Sequence, residues 1–426
     1  MSLDVALERG SSPAVSGDRH ARTLLSINNY YYPRGGAESL FLEQNRMLQN
    51  DGWNVVPFSM QHPQNLASPW SEHFVEELEF GENYSMLGKV VRAQKALYSF
   101  ESRRNLENLI RQVNPVIAHA HNIYHHLSPA ILDSLKKYNV PTVLTLHDLK
   151  LACPAYKMFT HDGICERCKN GRIWNVVRHK CIKNSAALSS LVMLESALYR
   201  TLGSYLNKVD AIIVPSRFYL EKLVEWGWPR ERFIHIPNFV DPERFVADDR
   251  VGKAFVFFGR LGPEKGIGTF IRAVAQARGQ GIVIGSGPEE GKLKALAVDL
   301  GADIRFVSHC SGDELMRLVK LARATVLPSE WYENAPMSLM ESYALGRPVI
   351  GADIGGIPEL VRPEQTGWLF PSGEATHLAA LMRRVLALPD SVVAEMGNNG
   401  RTWIEADYSR SRYLKRLLSL YQSVLE

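Results

Sequence analysis

The sequence predicts an α/β protein made of two doubly wound, Rossmann-like domains that face each other across a cleft. Short β-branched runs alternate with helical patterns along the chain, as is typical of parallel sheets covered by helices. The series of strands restarts after a linker near residues 237–250. At 426 residues, with 46% apolar and 22% charged residues, the chain is too long for one typical core and has a globular composition.

The first series of strands predicts an N-terminal domain over residues 21–240. The cysteine-rich, basic segment 150–183 interrupts its rhythm, so we interpret that segment as an insertion that serves a site or an interface. Residues 1–20 lack the apolar centre of a signal peptide and are predicted to form a flexible leader. The predicted strands are TLLSIN at 23–28, NVVPFS at 54–59, PVIAHA at 115–120, PTVLTLH at 141–147 and DAIIVPS at 210–216.

The second series predicts a C-terminal domain over residues 251–405. The last segment, 406–426, has Leu414, Leu417 and Tyr421 at helical spacing, which indicates a helix docked on the N-terminal domain. A membrane-facing role for this helix is the alternative. The predicted strands are AFVFFG at 254–259, GIVIGS at 281–286, DIRFVS at 303–308, ATVLPS at 324–329, PVIGAD at 348–353 and GWLF at 367–370.

Hydropathy and charge bear on where the protein acts. No apolar run approaches the roughly 18–20 residues that span a bilayer, so we predict a cytoplasmic protein. Segment 150–183 carries eight basic side chains against two acidic ones, Asp162 and Glu166. This excess suggests an anionic neighbour, which can be lipid headgroups at the inner membrane face, a phosphate-bearing acceptor or nucleic acid. A solvated loop without a partner is the alternative.

Glycines and cations at predicted strand ends indicate a phosphate-binding cleft. Gly35 and Gly36 follow the first strand and lead into a helix whose free N–H groups suit an anion, although an ordinary tight turn has the same pattern. In FFGRLGPEKGIGTF, Arg260 lies just past a strand and Lys265 lies near the next helix. Both cations can therefore converge on one diphosphate, with solvated surface charge as the alternative.

Two glutamates eight positions apart are candidates for holding a sugar nucleotide. Glu333 lies in the loop after ATVLPS, and Glu341 lies about a turn and a half inside the helix that Pro336 begins. The loop carboxylate can accept from sugar hydroxyls while the helical one accepts from a ribose diol. A generic acidic first turn and a solvated helix face are the alternatives. Gly285, in the turn GSG, is compatible with a base or ribose passing over it.

These motifs occur in an order that resembles one known family. Arg260 with Lys265, the spacing of Glu333 and Glu341, ALGRPVI at 344–350 and GGIPELV at 355–361 are similar to the motifs of retaining family 4 glycosyltransferases of the GT-B fold. The resemblance covers nearly the whole chain. It implies a nucleotide-sugar donor held mainly by the C-terminal domain, an acceptor held mainly by the N-terminal domain, and no metal required for catalysis.

The resemblance also implies roles for single residues. The predicted catalytic set has Arg260 and Lys265 on the diphosphate, Glu333 on the donor sugar and His147 of LTLHD facing that sugar, while Glu341 would bind the ribose. The sequence ENAPMS departs from the EGFG form common in the family, which affects which sugar is bound. Further donor contacts are expected from Gly35, Gly36, Gly285, Asn334, Ala335, Pro336 and Met337.

Histidines crowd the end of the strand PVIAHA. His121 and Asn122, in HAHNIYHH, are predicted to contact the acceptor. Core or loop histidines are the alternative for this cluster, and a metal site here is disfavoured because the implied chemistry asks for none.

Four of the five cysteines lie within segment 150–183. Cys153, Cys165, Cys168 and Cys181 have the spacing C-x11-C-x2-C-x12-C. In a reducing compartment this pattern predicts a structural zinc site, because a small irregular loop needs a staple. Unligated thiols and disulfides are the alternatives.

The sequence therefore predicts a retaining glycosyltransferase that moves a monosaccharide from a nucleotide-diphosphate sugar to a hydroxyl acceptor, such as a lipid-linked saccharide in polysaccharide biosynthesis. A sugar-nucleotide epimerase of the same architecture is the alternative. A nucleic-acid-binding protein that uses the four-cysteine loop is more remote, since paired glutamates at the cleft disfavour that partner. A hydride-transferring Rossmann enzyme is disfavoured because no complete G-x-G-x-x-G follows a strand with an acidic residue in place.

Overall fold

Each half of the chain forms a six-stranded parallel sheet in the computed structural model, which describes residues 22–78, 86–248 and 250–426. The predicted leader, residues 1–20, lies outside the described residues. Strands are numbered in chain order as β1 (Thr23–Ile27), β2 (Asn54–Phe58), β3 (Ile117–Ala120), β4 (Thr142–Thr145), β5 (Phe159–Thr160), β6 (Gly163–Ile164), β7 (Ala211–Val214), β8 (Phe233–His235), β9 (Ala254–Phe258), β10 (Gln280–Ile284), β11 (Ile304–Val307), β12 (Ala322–Leu327), β13 (Val349–Ala352) and β14 (Gly367–Phe370).

Helices follow most of these strands, as expected for a parallel sheet that needs crossover connections. They are α1 (Gly36–Asn50), α2 (Met86–Leu97), α3 (Phe100–Val113), α4 (Ile131–Lys137), α5 (Asn175–Arg178), α6 (Ala186–Thr201), α7 (Ser204–Asn207), α8 (Arg217–Glu225), α9 (Ile267–Ala277), α10 (Glu290–Asp299), α11 (Gly312–Lys320), α12 (Met337–Ala344), α13 (Ala375–Ala387), α14 (Asp390–Asp407) and α15 (Arg410–Leu425).

The N-terminal sheet has the strand order β2-β1-β3-β4-β7-β8, with every neighbouring pair parallel. Pro57 lies in β2, at the edge of the sheet, where a missing ladder N–H is tolerated. The inner strands β1, β3, β4 and β7 are buried throughout, which is why they read as continuous apolar runs.

The C-terminal sheet has the order β11-β10-β9-β12-β13-β14 and is also parallel at every pairing. Helices α9, α12 and α13 cover one face and contribute to a core that includes Phe255, Phe270, Tyr343 and Trp368. A smaller cluster with Val256, Ile282 and Leu318 covers the other face. Each half therefore has buried clusters of its own, which defines two domains.

Strand order reverses at one point in each sheet, between β1 and β3 and between β9 and β12. Ligands of doubly wound sheets bind outside the carboxyl ends of the strands at such points. The predicted phosphate segments directly follow these strands, since Gly35 and Gly36 come after β1 and Arg260 comes after β9. The loop with Glu333 comes after β12.

The last helix packs on the N-terminal half of the molecule. Tyr413, Leu417, Leu420 and Tyr421 of α15 are buried in a cluster with Trp53 and other residues of the first domain. α15 also contacts α1. The end of the chain therefore completes the N-terminal domain.

The predicted fold is confirmed, and the predicted strands agree with the observed ones to within two residues at most ends. The sequence prediction missed the two-residue strands β5 and β6, and it missed β8, which follows the charged turn Arg230–Arg232 and has only one buried residue, Phe233. It also placed Pro336 in the first turn of its helix, whereas Pro336 precedes α12 with extended backbone. None of the described helices is both long and apolar enough to cross a membrane.

Candidate functional site

The candidate site lies where the N-termini of α1 and α12 approach each other across the two domains. A Cβ added at Gly36 would lie 3.4 Å from Cγ of Met337, so a side chain here would press on the start of α12. Both helix N-termini carry unpaired N–H groups and a partial positive charge. Their juxtaposition makes this part of the cleft favourable for an anion.

Lys265 and Glu333, each predicted separately to contact the donor, meet directly. The Lys265 ammonium donates to Oε1 of Glu333 at 2.7 Å, and the Ser329 hydroxyl donates to the same oxygen at 2.7 Å. Burial opposes ionisation of Glu333, but the Lys265 charge and these hydrogen bonds outweigh it and lower the pKa of Glu333. The site therefore holds a fixed carboxylate beside a fixed ammonium, and Glu333 is only 6% exposed.

Arg260 lies at the rim of the site with a partner of its own. Its guanidinium donates to the buried carboxylate of Glu264. Lys265 belongs to the short 3-10 segment Pro263–Lys265 that precedes α9. The two cations predicted to hold a diphosphate are thus each anchored by a different glutamate, which fixes their positions in the free protein.

Glu341 lies in the second turn of α12, as the spacing predicted. Burial raises the pKa of Glu341 to about 7, and the nearby Arg244 lowers it only in part. This side chain is therefore close to half protonated at neutral pH in the free protein.

Close backbone contacts explain several glycines of the predicted motifs. A Cβ at Gly285 would lie 1.9 Å from the carbonyl oxygen of Gly259, so the ends of β9 and β10 can approach only without side chains. A Cβ at Gly356 would lie 1.9 Å from the carbonyl oxygen of Asn334, and the Gly356 N–H donates to the carbonyl of Glu333 at 2.8 Å. The motif GGIPELV therefore supports the loop that carries Glu333.

The N-terminal domain holds this loop from its other side. The Asn334 amide donates to the carbonyl of Leu146 at 3.2 Å and accepts from the Ser216 hydroxyl at 2.8 Å. The Asn238 amide donates to the carbonyl of Ala335 at 2.9 Å. Pro336 has no backbone N–H, so it cannot donate the hydrogen bond to the nucleotide sugar that was expected of it.

A chain of buried histidines lies behind the cleft in the N-terminal domain. His147 follows β4, and its Nε2 lies 2.9 Å from Nδ1 of His121. His121 is 3% exposed and contacts Gln44 on its other side, so it lies behind His147 and does not face the cleft. Asn122 lies nearer the surface, where its amide approaches Glu38 of α1.

Burial keeps these histidines neutral. It lowers the pKa of His147 to about 4 and the pKa of His119 to about 3. The pKa of His121 is likewise well below its ordinary value, because of burial and of its histidine neighbours. At neutral pH the cluster therefore offers neutral imidazoles for hydrogen bonding and adds no positive charge to the cleft.

Sequence reasoning missed several residues that shape the site. Ser329 could have been found, since it ends the strand before Glu333 and carries a donor. The others have no local signal because their partners lie far away along the chain. These residues are Gln44, Ser216, Asn238 and Glu359.

The four cysteines of segment 150–183 line one small cavity of about 20 Å³, together with Met158 and Val176. None of them forms a disulfide. Among the residues that the structure describes, no group of three or more His, Cys, Asp or Glu side chains is arranged to hold a metal ion. The zinc site therefore stays a prediction, while the chemistry and the shared cavity of the thiols are compatible with it.

Two family models match adjacent parts of the chain. Glycosyltransferase Family 4 matches residues 34–244, and Glycosyl transferases group 1 matches residues 244–403. The amylovoran biosynthesis glycosyltransferase AmsK of Erwinia amylovora is 29% identical over 230 residues, which are 50% of this chain and 56% of AmsK. The chain thus spans about half the length of the first curated relatives that it matches.

Solved structures show the same fold along nearly the whole chain. Sucrose-phosphate synthase from Thermosynechococcus elongatus has a TM-score of 0.68 at 20% identity and covers 95% of this chain and 99% of its own. HepE from Anabaena, in complex with UDP and glucose, has a TM-score of 0.65 at 16% identity and covers 94% and 100%. Two adjacent glycosyltransferase family models thus match residues 34–403, and the two facing Rossmann-like domains have the GT-B fold of these solved structures.

Proposed function

We propose that this protein transfers a monosaccharide from a nucleotide-diphosphate sugar to an acceptor hydroxyl, with retention of configuration, in the synthesis of a polysaccharide. The observation that carries the proposal is the ion pair of Lys265 with Glu333, in the loop that leads into α12, whose N-terminus approaches that of α1. The cation and the helix ends suit a diphosphate, while the carboxylate suits the hydroxyls of the attached sugar. AmsK acts in amylovoran biosynthesis by its name, and HepE binds UDP and glucose, which agrees with this class of donor and pathway.

The residues of the cleft suit a transition state in which the diphosphate departs. Negative charge grows on the leaving group, so Lys265, Arg260 and the α12 N-terminus stabilise the transition state more than the bound donor. Positive charge that develops on the sugar is favoured by the ionised Glu333. These groups are already anchored in the free protein, so little reorganisation is needed.

Retention by two displacements would need a free carboxylate nucleophile on the face of the sugar opposite the leaving group. Glu333 is engaged by Lys265 and Ser329. Asp148 is engaged as well, because one of its oxygens accepts from the backbone N–H of Lys150 at 2.9 Å, so it is not a free carboxylate. We therefore propose that the acceptor hydroxyl attacks on the same face from which the diphosphate leaves.

We infer that the acceptor is carried on an anionic lipid. Of the basic side chains in segment 150–183, Lys150 is buried in an ion pair with Glu195 and cannot contribute. An exposed basic surface remains around Trp174, which is 50% exposed, and this combination suits a lipid headgroup region. The exposed cations of the segment are Arg167, which pairs with Asp162, and Arg172, Arg178, Lys180 and Lys183.

A direct test starts with thermal shifts on a panel of UDP, GDP and dTDP sugars, since a donor at 100 times its dissociation constant stabilises the fold by about 2.7 kcal/mol. The best donor is then incubated with and without lipid-linked acceptors, and the anomeric configuration of the product is read by NMR. Transfer with retention supports the proposal. Appearance of an epimer without acceptor would favour the epimerase instead, and inversion would remove the same-face mechanism.

The Lys265→Ala variant tests the residue that carries the proposal. We expect turnover to fall by a factor of about 100 or more, as is common when a charge that stabilises the transition state is removed. Lys292→Ala is the matched control, because Lys292 is exposed on α10 of the same domain and pairs with Glu289 on the surface. Near-normal turnover of Lys265→Ala, with both variants folded, would contradict its role.

A further inference from the structure

We infer that the C-terminal helix α15 decides which ring nitrogen of His147 carries the proton, through a hydrogen-bond chain from Tyr413 to Gln44, His121 and His147. The chain starts 266 positions away from His147 along the sequence and ends at the cleft. It makes His147 a donor through Nδ1. The placement of the proton rests on hydrogen bonds of the free protein alone, and its consequence for the donor sugar rests on the proposed function.

The first step fixes the orientation of the Gln44 amide. The Tyr413 hydroxyl lies 2.6 Å from Oε1 of Gln44, and both side chains are buried. Among the described residues, Oε1 is the one acceptor in hydrogen-bond reach of this phenol. A buried phenolic proton needs an acceptor, so the carbonyl of Gln44 faces Tyr413 and its amide nitrogen faces away.

The second step sets the tautomer of His121. Nε2 of Gln44 lies 3.3 Å from Nε2 of His121, and an amide nitrogen can only donate. Nε2 of His121 is therefore the acceptor. Because burial keeps this ring neutral, its single proton lies on Nδ1.

The third step carries this choice to the cleft. Nδ1 of His121 lies 2.9 Å from Nε2 of His147, with the two rings stacked at an interplanar angle of 18°. Nδ1 of His121 donates, so Nε2 of His147 accepts. The neutral His147 ring then carries its proton on Nδ1, for which no partner lies within hydrogen-bond distance in the described residues.

A side branch through His119 supports the same direction. The Tyr421 hydroxyl of α15 lies 2.6 Å from Nδ1 of His119, and the Gln44 amide nitrogen lies 3.0 Å from the same atom. Nδ1 of His119 is therefore an acceptor, and Nε2 donates to Thr145 at 2.7 Å. If every hydrogen bond of the network ran in the opposite direction, Nε2 of His119 would accept from the Thr145 hydroxyl. The buried phenolic protons of Tyr413 and Tyr421 would then have no acceptor among the described residues.

The chemical consequence is that His147 donates a hydrogen bond to the ligand and takes no proton from it. A hydroxyl or phosphate oxygen of the donor would accept from Nδ1–H. In the other tautomer Nδ1 would be an acceptor, and the same ligand oxygen would have to supply its own proton. Gln44 and Tyr413 are thus positioning residues that act through His147.

Nitrogen-15 NMR of the full-length, histidine-labelled protein tests the proton placement without any ligand. Two- and three-bond couplings distinguish the tautomers, and the spectrum of His147→Gln assigns the ring. We expect His147 as the Nδ1–H tautomer at pH 7. Observation of the Nε2–H tautomer in the unsubstituted protein would overturn the inference.

The double variant Tyr413→Phe/Tyr421→Phe tests whether α15 sets the tautomer. It removes both phenolic protons, the one that orients Gln44 directly and the one that makes Nδ1 of His119 an acceptor, so we expect His147 to become a mixture of tautomers. Tyr199→Phe is the matched control, because Tyr199 is a buried phenol of the same domain that bonds Ser128 and Leu97 instead. An unchanged His147 signal in the folded double variant would show that α15 does not control it. Since both measurements use the free protein, failure of the proposed function would leave them unaffected.

Discussion

At the scale of single residues, the site is organised by carboxylates whose surroundings push their pKa values in opposite directions. Glu333 lies beside the Lys265 ammonium and has a lowered pKa, whereas Glu341 bonds no cation within the described part of the chain and has a pKa that burial raises to about 7. Both side chains are largely buried, so the difference comes from the nearest charge and not from burial. One glutamate is ready as an anion, and the other can take or lose a proton as a ligand binds.

Glu341 makes the stability of the free protein depend on pH. Its pKa is raised from 4.5 to about 7 in the folded state, so the folded protein binds more protons than the unfolded chain between these values. The protonated form contributes its full stability below about pH 4.5, and this stability is lost as the pH rises through 7. We expect Glu341→Gln to raise the unfolding free energy at pH 8 by about 1–3 kcal/mol and to change little at pH 5.

Thermal unfolding of both proteins between pH 5 and 8 measures this effect. Donor binding gives a second readout, because a ribose diol that donates to Glu341 requires the ionised form. The dissociation constant of the donor should therefore fall from pH 6 to pH 8 in the unsubstituted protein and stay flat in Glu341→Gln. Equal stability curves for the two proteins would show that Glu341 ionises normally.

At the scale of elements, the four-cysteine insertion reaches the loop that carries Glu333. The Tyr332 hydroxyl donates to Glu166 at 2.9 Å, and Lys222 of α8 pairs with the same carboxylate at 2.8 Å. Glu166 lies between Cys165 and Cys168 in the sequence. A zinc ion that cross-links these cysteines would therefore also hold Glu166 in its contact with Tyr332 beside the site.

The predicted zinc in this insertion can be tested by elemental analysis of protein purified without added metal. Burial raises the pKa of Cys153 to about 11 and that of Cys168 to about 12, so metal binding must displace protons and should weaken in acid. We expect near-stoichiometric zinc that is lost in Cys165→Ser and retained in Cys310→Ser. A metal-free protein with reactive thiols, or disulfides found by mass spectrometry, would replace the zinc interpretation.

At the scale of the whole molecule, the two domains are joined by directional hydrogen bonds as well as by the linker. Glu359 of the C-terminal domain accepts from the backbone N–H of Arg217 at 2.9 Å and from that of Phe218, and so caps α8 of the other domain. Ser216 caps the same helix and also bonds Asn334. The N-terminus of α8 therefore links the contact between the two domains to the loop beside Glu333.

We expect Glu359→Ala to loosen the closed arrangement of the domains. Loss of a helix cap costs about 0.5–2 kcal/mol, and here the loss falls on the contact between domains. Small-angle scattering should show a larger radius of gyration for this variant, and donor binding should weaken. Glu374→Ala is the control, because Glu374 precedes α13 without a capping hydrogen bond. Identical scattering curves for the two variants would show that Glu359 does not hold the domains.

The sequence by itself determined the two sheets, their parallel strands and the position of most candidate site residues. Buried parallel strands leave continuous apolar runs, and glycines and cations at strand ends must meet at one edge of a sheet, so local patterns are enough. Lys265 and Glu333 were each placed at this edge by the sequence, and the observed strand order brings them together because they follow the neighbouring inner strands β9 and β12. The strand β8 was not predicted, because three residues are too few to show a periodic pattern of apolar side chains.

Only the tertiary structure decided how the domains meet and how the histidines are protonated. Gly36 contacts Met337, Asn334 bonds Leu146, and Tyr413 bonds Gln44 across hundreds of positions, and no local pattern encodes such pairs. The sequence placed His121 at the acceptor, whereas folding buries it behind His147. Local sequence determines which face of a helix or strand is buried. The hydrogen-bond partners of a buried polar group depend instead on how distant elements pack, because that packing determines which donor and acceptor come within reach.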